Sequence, residues 1–221
     1  MAKQALVIGL GQFGMSLSRA LASFGVEVVA VDLRSDRVEA AAAFVAEAMV
    51  LDAREEVLLS RLAPNRRDVC VVGIGDESKE ASIVATALLR QMGAPHVVAR
   101  ATDPMHERIL KLVGAHEVMN PERSFGERLA KRLAHTGVVD EIALGSSLAI
   151  TELRPPAALV GRNLVDLALT RRFNVTVVAI HRVEDGGVRI LLPDPYDPIR
   201  ADDILVLVSP SGAAVAMTQR V

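Results

Sequence analysis

Aromatic side chains are scarce in this chain: 3% of its 221 residues are Phe, Tyr or Trp, and none is Trp. Burial therefore has to rely on close-packed aliphatic residues, which make up most of the 51% hydrophobic fraction and suit a sheet covered by helices. There is one cysteine, Cys70, set in the apolar run Val69–Ile74. That excludes an intramolecular disulfide and a multi-cysteine metal site, and marks Cys70 as a small core residue. Charge of one sign is also lacking, since 25 Lys and Arg face 27 Asp and Glu. A net charge of −2 gives no general footprint for nucleic acid or an anionic membrane. No apolar stretch approaches the roughly 20 residues needed to cross a bilayer, and the first strand run starts close to Met1. A soluble, cytosolic protein is expected.

Short β-branched runs alternate with longer helical patterns: Ala5–Leu10, Val26–Asp32, Ala48–Asp52, Asp68–Gly75, His96–Ala101 and His116–Asn120. Six such strands separated by helices predict an α/β, Rossmann-type doubly wound parallel sheet. Glu122–His135 reads as an amphipathic helix with Phe125, Leu129 and Leu133 on one side, leaving the first domain. After Gly137 the pattern changes to strands at Leu148–Leu153, Asn174–His181, Val188–Leu192 and Ile204–Val208, with a short helical segment near Asn163–Thr170. Gly186-Gly187 signals a hairpin, and Asp194-Pro195 with Asp197-Pro198 a turn-rich connection. Two domains are expected, at 1–137 and 138–221, the second a small α+β module.

Gly9-Leu10-Gly11-Gln12-Phe13-Gly14 follows a strand and opens a helix, the context in which a GxGxxG pattern is informative. Gly9 permits the tight turn, Gly11 leaves room for a diphosphate, and Gly14 lets the helix pack closely, so helix N–H groups face the anion. Asp32 ends the second strand where a carboxylate accepts ribose hydroxyls, with Leu33 beside it. The other reading of these glycines is packing alone, in a Rossmann fold without its ligand. Asp52 and Ala53 after the third strand, and the Gly73-Ile74-Gly75-Asp76 turn after the fourth, border the adenosine half. Asp52 reads equally as an N-cap, with Glu55 completing a capping box. Arg100, ending the fifth strand, is a phosphate-facing rim or a solvated strand end. The five histidines, His96, His106, His116, His135 and His181, are dispersed, and none shows the i, i+4 pairing of a helical metal site. Hydride transfer would need a placed acid/base group, for which only His181 in the second domain offers itself. An NAD(H)-dependent oxidoreductase is the alternative; a DNA-binding regulator lacks any helix-turn-helix or basic module.

With these residues in place, the whole chain resembles the cytosolic RCK-domain regulatory subunits of bacterial Trk and Ktr potassium uptake systems. The resemblance rests on Val7–Gly14 with Asp32, Leu51-Asp52-Ala53, Val71–Gly75, the passage Gly114–Glu122 (GAHEVMNPE), and Asp203–Val208. It implies that residues 1–137 are an RCK N-terminal domain with its crossover helix and 138–221 an RCK C-terminal domain. It further implies homodimers assembled into an octameric ring beneath a membrane-embedded potassium transporter subunit. The ring would respond to ATP and ADP, or to NAD(H), without enzymatic activity or nucleic acid. Gln12 departs from the arginine common in ATP-responsive members, and Gln cannot neutralise phosphate charge. Glu122 matches a family glutamate that contributes to a Mg²⁺ or Ca²⁺ site between two ATP-bound subunits, a role that hard oxygen donors suit, although Glu after Pro also stabilises a helix N-terminus. Some relatives bind cyclic di-AMP in the second domain; here Arg171-Arg172-Phe173-Asn174 and Ile180 would serve, or the arginines are a plain basic strand entry.

Overall fold

The computed structural model describes residues 2–75, 78–184 and 186–220, so Asp76, expected to close the turn after the fourth strand, lies outside the described residues. The chain divides into two compact units, 1–122 and 123–221.

In the first unit β1 (Gln4–Ile8), α1 (Gln12–Ser23), β2 (Glu27–Asp32), α2 (Ser35–Ala42), β3 (Glu47–Val50), α3 (Glu56–Ser60), β4 (Val69–Val72), α4 (Lys79–Gln91), β5 (Val97–Arg100), α5 (Pro104–Leu112) and β6 (Glu117–Met119) follow one another. The six strands form one sheet in the order β3-β2-β1-β4-β5-β6, all parallel. Because successive strand residues point to opposite faces, the near-continuous apolar runs feed two separate cores. Leu6, Ile8, Val29, Val31, Cys70 and Val72 pack with Leu59, Leu89 and Leu110. Ala5, Val7, Val28, Ala30 and Val71 pack with Val38, Ala41, Met15 and Leu21. Helices α3, α4 and α5 thus cover one face and α1 and α2 the other, the doubly wound arrangement read from the sequence. Strand order reverses between β1 and β4, the position at which such sheets open a crevice at their carboxyl ends.

Helix α6 (Pro121–Ala134) begins in the first unit and runs into the second, and none of its residues is buried. The second unit continues with β7 (Val138–Leu144), β8 (Leu148–Leu153), α7 (Leu164–Leu167), α8 (Leu169–Phe173), β9 (Thr176–Glu184), β10 (Gly187–Leu191), β11 (Ile204–Pro210) and α9 (Ala213–Thr218). Its five strands form an antiparallel sheet in the order β10-β9-β11-β8-β7, over a core of Leu153, Leu159, Leu167, Ile180, Leu205, Leu207 and Met217.

Several expectations are corrected here. The segment expected as one helix near 163–170 is two short helices, because Ala168 takes a left-handed φ of 45° between them. Asn174, expected to start a strand, caps α8 with φ 57°. Strand β9 then runs three residues past His181, since Arg182 is buried by an ion pair rather than exposed at a strand end. Strand β7 and helix α9 had no counterpart in the sequence reading.

Candidate functional site

The turn from β1 into α1 is built around its glycines. Gly9 has φ 90°, and a Cβ there would lie 2.9 Å from the Ile74 backbone nitrogen. A Cβ on Gly14 would stand 1.9 Å from the Gly9 carbonyl oxygen, so α1 can approach β1 only because that position carries no side chain. A Cβ on Gly11, by contrast, would meet nothing within 4 Å; this residue faces open space. Gly11 also precedes α1 with no side-chain cap. The first N–H groups of a helix have no intrahelical acceptor, which leaves them and the helix dipole directed at whatever occupies that space.

That space is a cleft of about 650 Å³ between the carboxyl ends of β1, β2, β3 and β4. Gly9, Gly11, Gln12, Asp32, Leu33, Asp52, Ala53, Gly73, Ile74, Gly75 and Arg100 all line it, so the structure brings together most of the residues singled out from the sequence. Phe13 and Gly14 do not line the cleft. Phe13 packs against the core on the α1 side, with the Arg100 guanidinium 5.9 Å from its ring centre. Glu122 also lies off the cleft lining, bound to Arg100.

Asp32 is only 8% exposed and is fixed by backbone donors. One carboxylate oxygen accepts from the Leu10 N–H at 2.5 Å and the other from the Arg34 N–H at 2.9 Å, with an Arg37 Nη1 3.6 Å away. A carboxylate held this way keeps lone pairs at the cleft for hydroxyl donors. Asp52 takes neither half of the expected capping box. Residue Glu55 occupies the position before α3, while Asp52 accepts from the Arg54 N–H at 3.0 Å and from its guanidinium at 2.6 Å. This is an Asx turn closed by its own arginine. Those Arg54 bonds hold the Asp52 carboxyl below the usual carboxylate range.

Arg34, Arg37 and Arg54 were not foreseen as lining residues. Their signal was present as arginines two to five positions beyond the ends of β2 and β3, where loops at the carboxyl edge must face the crevice. Among the described lining residues, four arginines with Arg100 included stand beside Asp32 and Asp52 on the cleft wall, Arg34 and Arg100 being paired to Asp36 and Glu122 outside the lining. The cleft is suited to a ligand with hydroxyl groups at one end and anionic groups at the other.

Arg100 is the most constrained of these cations. Its side chain is 15% exposed and its Nη2 donates to the Glu122 carboxylate at 2.5 Å. A Cβ on Gly75 would lie 2.5 Å from its Nη1, so glycine there leaves the guanidinium its place. Its buried Nε has no hydrogen-bond partner among the described residues. In the second unit, Ile180 is 5% exposed within the core. Within one chain it does not offer a base an exposed face, and in the arginine turn, for which two readings stand open, Arg172 lies over the Phe173 ring at 4.9 Å.

Comparison with known proteins matches the TrkA-N domain over residues 5–121 and the TrkA-C domain over 148–220. The Ktr system potassium uptake protein A of Vibrio alginolyticus is 35% identical over 94% of this chain and 93% of its own length. Protein C of the Ktr system of Bacillus subtilis is 33% identical over 94% and 92%. Among solved structures, the RCK domain of GsuK superposes with a TM-score of 0.67 at 18% identity, covering 99% of this chain and 47% of that one, and so shares the fold. The glycine turn, the doubly wound sheet and the small antiparallel module thus coincide with full-length sequence relationship, and the chain belongs to the family of TrkA-N/TrkA-C regulatory subunits that includes the Ktr potassium uptake proteins A and C.

Proposed function

We propose that the cleft of the first unit takes an adenine nucleotide as a regulatory input, and that the chain is a cytosolic, non-enzymatic subunit gating a membrane-embedded potassium transporter. The observation that carries this reading is the open approach at Gly11, directly before the unsatisfied N–H groups of α1. A diphosphate fits that approach, with ribose hydroxyls on Asp32. ADP, ATP and NAD(H) share this half of the molecule. Gln12, exposed on the cleft, offers hydrogen bonds but no charge, so neutralisation of further phosphates falls to the arginines of the rim.

An NAD(H)-dependent oxidoreductase is the less favoured reading. No histidine, lysine or cysteine lines the cleft among the described residues, and its two acids are already engaged by backbone or guanidinium donors. Among the described residues, general acid/base chemistry therefore finds no histidine, lysine or cysteine and no carboxylate without a donor already on it.

The second module, taken as residues 138–221, would serve assembly. Helix α6 presents Phe125 and Leu133 at 66% and 75% exposure, an apolar stripe suited to a second copy of the chain in a homodimer and, through it, an octameric ring. Such a ring transmits ligand identity only if two of its shapes differ in affinity for the alternative nucleotides. A Mg²⁺ or Ca²⁺ site at Glu122 would form between two nucleotide-bound chains, each giving this carboxylate, which within one chain is bonded to Arg100, with no group of three or more His, Cys, Asp or Glu able to hold a metal among the described residues. Cyclic di-AMP in the second module would need a surface other than Ile180.

The test is to identify the nucleotide released from purified, denatured protein, then to co-purify the membrane partner and measure potassium flux with ADP, ATP, NAD and NADH. A flux that differs between nucleotides is expected. Absence of a retained membrane partner together with nucleotide-independent flux overturns the reading.

A further inference from the structure

Arg100 occupies two structural roles at once. It lines the cleft, and it holds the carboxylate of Glu122, the second residue of α6. The contact is one-sided in its constraint. The Arg100 side chain is 15% exposed, beside Gly75 and near Phe13, whereas the Glu122 side chain is 60% exposed. A guanidinium has five donors in a planar fork, of which Nη2 is used by Glu122 while the buried Nε is without a partner among the described residues. An anion entering the cleft would offer this fork further acceptors beside the Glu122 carboxylate.

We propose that ligand phosphate and Glu122 compete for Arg100, so that filling the cleft releases the first turn of α6 from the carboxyl edge of the sheet. This rests on the cleft being a nucleotide site and adds the element through which occupancy leaves it. Helix α6 suits the role because no side chain along it is buried. The Arg100–Glu122 ion pair is thus a charged tie from the cleft wall to the start of that helix, and within one chain no buried α6 side chain backs it up. Glu122 acts here as a positioning residue for Arg100 and need not touch the ligand.

Competition has a signature that simple support does not. If Glu122 merely aimed Arg100 at the ligand, removing its charge would weaken binding. If Glu122 competes, Glu122→Gln strengthens binding. An ion pair with one largely exposed partner contributes no more than about 1 kcal/mol, so ADP and ATP affinity should rise about two- to fivefold.

The experiment uses the full chain in two measurements. Calorimetry compares ADP and ATP binding to wild type and to Glu122→Gln, whose circular dichroism and melting curve establish that it is folded. Hydrogen exchange of wild type, with and without ADP, then reports on the second turn of α6. Expected results are tighter binding by Glu122→Gln, faster exchange of the wild-type α6 amides with ADP, and loss of that ADP response in the variant. Equal or weaker binding by the variant, or wild-type α6 amides that do not respond to bound ADP, overturns the competition. Failure of wild type to bind any nucleotide overturns instead the reading of the cleft on which it rests.

Discussion

Replacing Gly14 by alanine tests how the phosphate-facing turn is held, and replacing Gly11 by alanine is its control. A Gly14 Cβ would sit 1.9 Å from the Gly9 carbonyl oxygen and 3.0 Å from its carbon. Carbon contacts are comfortable near 3.5 Å, so the helix start must retreat from the strand by about 1.5 Å, or Gly9 must surrender its turn. Overpacking of this kind costs about 1–3 kcal/mol. Because the obstruction is backbone rather than a flexible side chain, the upper part of that range is expected. The same retreat moves the α1 N–H groups away from the cleft, so nucleotide affinity should fall together with stability. At Gly11 the added methyl meets nothing and the φ of −64° suits alanine. Stability should change by less than about 1 kcal/mol there, while the methyl stands in the diphosphate's approach and lowers affinity at least about tenfold. Denaturant unfolding and calorimetry with ADP measure both quantities on both variants. Equal destabilisation by the two substitutions, or undiminished binding by Gly11→Ala, would refute the division of labour between these glycines.

Arg182, 2% exposed, donates to the fully buried Asp203 through Nε and Nη2 at 2.8 Å each; Arg182→Met leaves that carboxylate buried and unpaired, and should cost about 3–5 kcal/mol in denaturant unfolding. Asp103 caps α5 by accepting the His106 N–H at 2.8 Å and pairs with Lys79. The Lys79 bond, followed by the backbone bond to His106, lowers its carboxyl to about 2. Since the folded value lies below the unfolded one near 3.9, this contribution is complete above about pH 4 and fades as pH falls toward 2. Asp103→Asn should flatten the acid limb of a stability-versus-pH curve over that window, and an unchanged limb would count against the cap. Burial pushes the Cys70 thiol up to about 12, so a thiol reagent at pH 8 should modify it at the rate of unfolding, and rapid labelling of the native protein would contradict its position in the core.

The first unit was legible because its signals are local. Strand runs covered on both faces read as continuous Val, Ile and Ala stretches, and the glycine turn needs Gly9 and Gly14 for steric reasons that are local in the chain. The second unit hid its edge strand. In β7, Asp140 and Glu141 interrupt the apolar pattern, and only the fold shows their partners, Arg128 and Lys131 on α6. The strand expected to end at His181 continues through Arg182, a charge buried within β9 by its pair with Asp203. At the site, Asp32 and Arg100 were found by register, as the last residues of parallel strands. The rim arginines escaped because a loop residue's direction depends on the turn it occupies, and the Asx turns at Asp32 and Asp52 that aim Arg34 and Arg54 have no spacing rule of their own.

The hydrogen bond from the Leu10 N–H to Asp32 joins the glycine turn to the end of β2. Anion-facing and hydroxyl-facing parts of the cleft are thereby one rigid body, ordered when the domain folds and before any ligand arrives. A nucleotide bound as proposed would meet that floor already formed. Discrimination between ligands that differ beyond their shared half must then arise in the walls, where Arg34, Arg54 and Arg100 stand on side-chain pairs that another anion can exchange.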